Sequence, residues 1–153
     1  MDNFDRAILS ALQEKGDISL TELSAIVNLS SSQCSRRLQR LREEGYIARV
    51  VAILNPEKVN LGVSSFIIVK LNSHSQEVEE RFRRHMENLK EVLSCHYITG
   101  SLDFILMVQV RDLKAYREFL SHRLLSLSDI GSITSHIILG SVKNTTALPL
   151  NYV

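Results

Sequence analysis

Apolar residues in the first third of the chain recur at three- and four-residue intervals, the period of a helix with one buried side. Phe4, Ile8, Leu9 and Leu12 form one such stripe, which Asp2 or Asn3 can cap and Gly16 ends. A second stripe, Leu23, Ile26 and Val27, follows Ser19, Leu20, Thr21 and Glu22. Those four residues make a capping box: the serine oxygen accepts from the amide of Glu22, and the glutamate accepts from the amide of Ser19. Ile18 and Leu23 are placed to pack as the flanking apolar staple. Eleven residues on, Ser30, Ser31, Ser32 and Gln33 repeat the box, with Leu29 and Cys34 as staple. Cys34, Leu38 and Leu41 are then the buried stripe, up to Gly45. Between the two helices stands Asn28, a residue type that tolerates left-handed backbone and so ends a helix sharply. The pattern predicts two helices joined by a tight turn, with a first helix behind them.

The period then changes. Tyr46 to Leu54 carries Ile47, Val50, Val51 and Ile53 and predicts a strand; Asn55 to Lys58 predicts a turn, and with Leu61 and Gly62 it brackets a domain boundary. Beyond it, Val63 to Leu71 is a β-branched strand. Gln76 to Lys90 is a helix with Val78, Phe82, Met86 and Leu89 inward. Val92 to Ile98 is a strand, Gly100 to Asp103 a turn, and Phe104 to Val110 a strand again. Leu113 to Leu127 is a helix with Leu113, Tyr116, Leu120, Leu124 and Leu127 inward, and Ile130 to Val142 is the last strand. The order βαββαβ is that of a ferredoxin-like unit. The expected fold is therefore α+β: a three-helix helix-turn-helix domain with a linking strand (1–54), a linker (55–62), a ferredoxin-like βαββαβ domain (63–143) and a tail (144–153). Leu148, Pro149 and Leu150 of the tail can dock on another surface.

Composition narrows the classes. The chain has 153 residues, 44% hydrophobic and 23% charged, which is ordinary globular usage and enough for one medium core or two small ones. Its longest apolar runs are too short to cross a bilayer, and its acidic start lacks the apolar core of a signal peptide, so a soluble cytoplasmic protein is expected. Cys34 and Cys95 lie in apolar-patterned segments and read as small buried hydrophobes. The five histidines (His74, His85, His96, His122, His136) show no metal-ligand spacing, and there is no P-loop or dinucleotide-binding glycine pattern. No catalytic site, resident metal or cofactor is expected.

The net charge of +1 is uninformative, but its distribution is not. Between Ser31 and Arg49 five arginines (Arg36, Arg37, Arg40, Arg42, Arg49) face two acids (Glu43, Glu44). A local basic stripe suits a protein that meets phosphate on one surface. The second helix of a helix-turn-helix enters the major groove with its N-terminal residues against base edges. Ser31, Ser32, Gln33, Ser35, Arg36, Arg37 and Arg40 are the candidates there. Arginine can chelate guanine, glutamine can pair with adenine, and serine can take base edges or phosphate. Arg49, just beyond, can hold the backbone. The plain alternative is a solvated basic helix face. One such unit reads only a short half-site, so a homodimer on a near-palindromic double-stranded operator is expected, assembled through the C-terminal domain.

Taken together the segments resemble the leucine-responsive regulator (Lrp)/AsnC family, the feast–famine transcription regulators. The resemblance is carried by Asp5-Arg6-Ala7-Ile8-Leu9, by Leu29-Ser30 with Cys34 and Arg36-Arg37, by Leu41 through Gly45-Tyr46-Ile47, by Ala52-Ile53-Leu54-Asn55-Pro56, and by Cys95 through Thr99-Gly100-Ser101-Leu102-Asp103. It implies a sequence-specific DNA-binding regulator whose linking strand is Ala48 to Leu54. It also implies dimers that pair their sheets and assemble into octamers or larger rings. Many members bind a free amino acid as effector in a cleft between neighbouring dimers. Here its site would be the turn Thr99, Gly100, Ser101, Leu102, Asp103 and the strand positions Thr134, Ser135 and His136. Read from the residues alone, Gly100 permits close backbone approach and Asp103 can accept an ammonium, but both equally suit a plain hairpin turn. Two departures stand out: Asn28 where the family often has Gly, and Leu127-Ser128-Asp129 where it often has Leu-Pro-Gly. Two rival classes remain, a metabolite-sensing module that binds protein partners and an RNA-binding ferredoxin-like domain. The latter would need exposed aromatics on its central strands.

Overall fold

A computed structural model describes residues 1–152. The chain divides into two compact units, one of residues 1–53 with 143–153 and one of residues 54–142. The expected division gave the tail a place of its own; in the structure it belongs to the helical unit.

The helical unit is three helices, α1 (Asn3–Glu14), α2 (Leu20–Val27) and α3 (Ser31–Glu43). Each starts at a reciprocal capping box, in which a side-chain oxygen takes an orphan amide and the third helical residue answers. Asp2 and Asp5 do this for α1, Ser19 and Glu22 for α2, and Ser30 and Gln33 for α3. Asn28 closes α2 in the left-handed region (φ 54°), and Ser30 is already the cap of α3, so the turn is as short as its sequence suggests. Ile8, Leu9, Leu23, Val27, Cys34, Leu38 and Leu41 make the core, with Ile18, Leu29 and Leu150 packed on it. Two expected core positions are exposed, Phe4 and Ile26; α1 turns Asp5 inward instead of Phe4. The tail is tied to α1: Gln13 donates from Nε2 to the Leu148 carbonyl (3.1 Å), and the Leu148 amide donates to its Oε1 (2.6 Å).

The expected linking strand is absent. Residues 47–54 form neither helix nor strand, and Val50, Val51, Ile53 and Leu54 stand exposed. A strand needs a hydrogen-bonded neighbour, and among the described residues none pairs with this segment. The expected turn at 55–58 is a short 3-10 helix, Glu57–Val59, closed by left-handed Asn60.

The second unit is β1 (Val63–Leu71), α4 (Gln76–Glu87), β2 (Val92–Tyr97), β3 (Phe104–Val110), α5 (Leu113–Phe119) and β4 (Ile130–Ile137). The sheet is antiparallel in the order β2-β3-β1-β4, so β2 and β4 are edges and β3 and β1 the central pair. Alternate residues of the central strands, Ile67, Val69, Leu71, Phe104, Leu106 and Val108, are buried with Phe82, Met86, Tyr116, Phe119 and Leu124. The core hydroxyl of Tyr116 is satisfied by Ser65 (2.6 Å). After α5 the chain winds as a π-helix over Leu120–Leu124, with the Leu125 amide reaching the Leu120 carbonyl. The wider turn changes the helical phase. Phe119 is buried while Leu113, expected inward, is exposed. β4 ends at Ile137, five residues short of expectation, and Leu139 and Val142 beyond it are open to solvent.

The opposite sheet face carries no helix of this unit among the described residues. Phe66, Ile68, Ile105 and Met107 lie at its centre, none of them buried, with His96 and His136 toward its edges. Phe66 is its one aromatic among the described residues on the two central strands, since Phe104 is buried on the helix side. Stacking platforms for RNA use several.

Asn28 tests the turn. Substitution by Gly, which adopts left-handed backbone freely, should leave stability within about 1 kcal/mol, whereas Val should cost about 1–2 kcal/mol. Urea unfolding of both variants measures this; equal stability of the two would contradict a turn set by Asn28.

Candidate functional site

The capping box fixes where α3 begins, and the stripe Cys34, Leu38 and Leu41 fixes which side it shows to solvent. Ser31, Ser32, Gln33, Ser35 and Arg36 are all exposed on its first half. Arg36 and, further on, Arg42 and Arg49 are exposed, and their side chains carry no hydrogen bond or ion pair among the described residues. Gln33 is less free than its type suggests. Its Oε1 accepts from the amide and the hydroxyl of Ser30, which leaves the side-chain NH2 as the group available to a ligand. The Ser32 hydroxyl lies 3.1 Å from that of Ser30.

Arg37 and Arg40, expected to face DNA with Arg36, are engaged elsewhere. Both donate to Asp5 on α1: Arg37 Nη1 to Oδ1 at 2.7 Å and Arg40 Nη2 to Oδ2 at 2.5 Å. Asp5 is only 1% exposed. Its Oδ2 also accepts from the Asp2 amide at 3.1 Å, so the buried carboxylate is fully paired. Arg37 reaches the Asp2 carboxylate as well (2.8 Å) and lies over the Phe4 ring, 5.4 Å from its centre. Arg40 has a weaker second partner in Glu44, 3.7 Å away. Burial pushes the Asp5 carboxyl up, but the Asp2 amide and the two guanidinium groups outweigh it and hold its pKa below the ordinary aspartate value of 3.8. The Asp5 amide, helped by Arg37, holds Asp2 down in the same way.

Sequence reasoning had Asp2 as a cap of α1, as it is, but missed that both aspartates pair with arginines of α3. A signal was present. Asp5, Ile8, Leu9 and Leu12 keep the spacing of the buried side better than Phe4 does, and an acid on an apolar stripe calls for a cationic partner.

In the second unit, the turn after β2 is closed by the Ile98 amide donating to the Asp103 carbonyl (2.9 Å). Gly100 sits at φ 120°, which side chains disfavour. Thr99, Gly100 and Ser101 are exposed and Leu102 half-buried, while Asp103 is buried. Asp103 Oδ2 accepts from the Leu71 amide (2.7 Å), and its Oδ1 lies 3.4 Å from His74 Nδ1. The Asp103 amide donates to the Val69 carbonyl (3.0 Å). Asp103 therefore anchors the turn to the end of β1, with one oxygen committed. Thr134, Ser135 and His136 lie exposed on edge strand β4, opposite Ile68, Ile67 and Phe66. Register places Thr134 and His136 on the open face and Ser135 on the other. Within one chain β1 stands between the turn and these positions, so the structure does not bring the two halves of the expected ligand site together.

Residues 1–48 match a family model described as winged helix-turn-helix DNA-binding, and residues 64–148 match the Lrp/AsnC ligand binding domain. The chain belongs to the Lrp/AsnC family of transcription regulators. It is similar along nearly its whole length to the proline dehydrogenase transcriptional activator of Rhizobium radiobacter, with 38% identity covering 95% of this chain and 93% of the relative. The DNA-binding transcriptional activator DecR of Escherichia coli is 36% identical, covering 98% and 99%. A transcriptional regulator of Neisseria meningitidis, solved as its complex with L-methionine, superposes with a TM-score of 0.96 at 38% identity, covering 99% of this chain and 98% of that one. As an Lrp/AsnC regulator this chain is a DNA-binding protein and not an enzyme, and α3 is the second helix of its helix-turn-helix.

The paired aspartates give the helical unit a pH dependence. A carboxylate whose pKa is lowered by folding stabilises the fold above its unfolded value, and that contribution is lost as pH falls through the folded value. Asp5→Asn removes the group. The gap in melting temperature between wild type and Asp5→Asn should therefore narrow as pH is lowered from 7 to below about 4. A gap that is the same at pH 7 and pH 3 would contradict an ionised Asp5.

Proposed function

We propose that this chain is a sequence-specific regulator that acts as a dimer, lays α3 of each copy in the major groove of a near-palindromic duplex, and changes its DNA affinity when a free amino acid binds. The observation that carries the reading is the exposed first half of α3. Its backbone is fixed by the capping box, and Arg36 projects there with no protein partner. Arg36 suits guanine, the Gln33 amide and the hydroxyls of Ser31, Ser32 and Ser35 suit base edges or phosphate, and Arg49 suits the flanking backbone. Arg37 and Arg40 brace the helix instead.

A second copy of the chain is the natural cover for the open sheet face. Phe66, Ile68, Ile105 and Met107 give it an apolar centre, and the unpaired apolar segment Val50 to Leu54 offers a strand to the same partner. Octamers or larger rings built from such dimers would place the Thr99–Asp103 turn of one module against Thr134, Ser135 and His136 of another, which one chain alone keeps apart. The turn's exposed amides around Gly100 suit a carboxylate, and the Asp103 oxygen beside His74 suits an ammonium. The Neisseria relative makes L-methionine the first ligand to try. The effector can shift DNA affinity only as far as it prefers one assembly over another. The site of action is the cytoplasm, where the DNA is.

Selection of bound duplexes from a random pool defines the operator. On that site Arg36→Ala should lose about 1–3 kcal/mol of affinity and relax the preference at one position per half-site. Unchanged affinity with the fold intact would remove Arg36 from the interface. Calorimetric titration with each protein amino acid, with mass followed by light scattering, should find at least one that binds and shifts the assembly. Binding by none would leave a regulator without this effector.

A further inference from the structure

We propose that Asp5 is a specificity-determining positioning residue: it withholds Arg37 and Arg40 from DNA phosphates, so that recognition rests on Arg36 and the serine- and glutamine-bearing start of α3. The inference rests on α3 being the DNA-reading helix.

The geometry carries it. Two cations on successive turns of one side of α3 converge on a single buried carboxylate 32 and 35 residues earlier in the chain. Each guanidinium has a second acid as well, Asp2 for Arg37 and Glu44 for Arg40. Asp2, Asp5, Arg37 and Arg40 together carry no net charge. The cationic side chains left for nucleic acid on α3 and just after it are Arg36, Arg42 and Arg49, which have no partner among the described residues.

Physical chemistry gives the consequence. An arginine on a flexible stem takes any phosphate within reach, and phosphate is the same at every sequence. Each phosphate contact raises affinity for all duplexes alike and steepens the salt dependence. A buried carboxylate that has already satisfied two guanidinium groups removes that indiscriminate share. It also fixes the offset of α3 against α1, so that Arg36 and Ser32 approach the base edges from one direction. Asp5 does not touch DNA; it acts through the two arginines.

The test uses the full chain and two duplexes, a site selected from a random pool and a scrambled duplex of equal length, over a range of potassium chloride concentrations. In Asp5→Asn the released arginines are expected to strengthen binding to the scrambled duplex. The slope of log affinity against log salt should steepen by about 1 to 2, at about 0.9 per new phosphate contact. The ratio of selected to scrambled affinity should fall by about tenfold. Adding Arg37→Gln and Arg40→Gln to Asp5→Asn should return slope and scrambled-site affinity to the wild-type values, which loss of structure alone would not do. If Asp5→Asn does not fold, Arg37→Gln and Arg40→Gln singly carry the test: arginines held by Asp5 are expected to leave the salt slope unchanged when removed. An unchanged slope and ratio in the folded Asp5→Asn protein overturns the proposal. So does a flatter slope in Arg37→Gln or Arg40→Gln alone, which would mean that these arginines already hold phosphate. If the wild type enriches no site from the pool, the reading of α3 fails and this inference with it.

Discussion

A carboxylate shut away from water has to be paired, and Asp5 is paired only when α1 and α3 stand at one offset. Its two oxygens take the Asp2 amide and one guanidinium each from Arg37 and Arg40. Leaving such a group buried without partners costs several kcal/mol, so the arrangement acts as a latch more than as a source of extra stability. The apolar contacts of Ile8, Leu9, Leu23, Val27, Cys34, Leu38 and Leu41 hold the three helices together. They are non-directional and would tolerate small rotations. The latch would not, and rotation is what a base-reading helix has to avoid.

The same economy shows at the helix starts. All three helices of this unit begin at reciprocal caps, which fix the first turn where it would otherwise fray. For α3 that first turn carries the side chains with the best access to bases. The cap has a chemical cost for recognition, because it takes the carbonyl oxygen of Gln33 and leaves the amide group. The ligand-binding unit uses its acid in another way. Asp103 binds the end of β1 to the turn after β2, so anything that moves this turn also strains a central strand of the sheet.

Much of this was legible in the sequence because it is local. The capping boxes at Ser19 and Ser30, the left-handed Asn28, and strands Val63–Leu71 and Phe104–Val110 are decided by residues a few places apart, and the structure has them where the pattern put them. What the pattern missed is set by distant partners. The Asp5–Arg37–Arg40 group joins positions more than thirty residues apart, so three arginines of one type read as equivalent when only Arg36 is free. The strand expected at 48–54 had the right composition, but a strand is a relation between two segments and one chain supplies only one of them. The π-turn after Phe119 shifted a helical phase that the residue pattern alone treats as regular; the tail docks through Leu148 and Leu150 as its composition suggested, but the surface it meets, Gln13 and the helical core, is one that no local rule displays.

Whether α3 meets base edges in the major groove is measured most directly by methylation interference on the selected operator. Methyl groups at guanine N7 lie in the major groove. With α3 in that groove they block wild-type binding at guanines in each half-site, and Arg36→Ala becomes indifferent to one of those positions while remaining sensitive to the others. Interference confined to adenine N3 in the minor groove, or a guanine pattern identical in the wild type and Arg36→Ala, would contradict that placement.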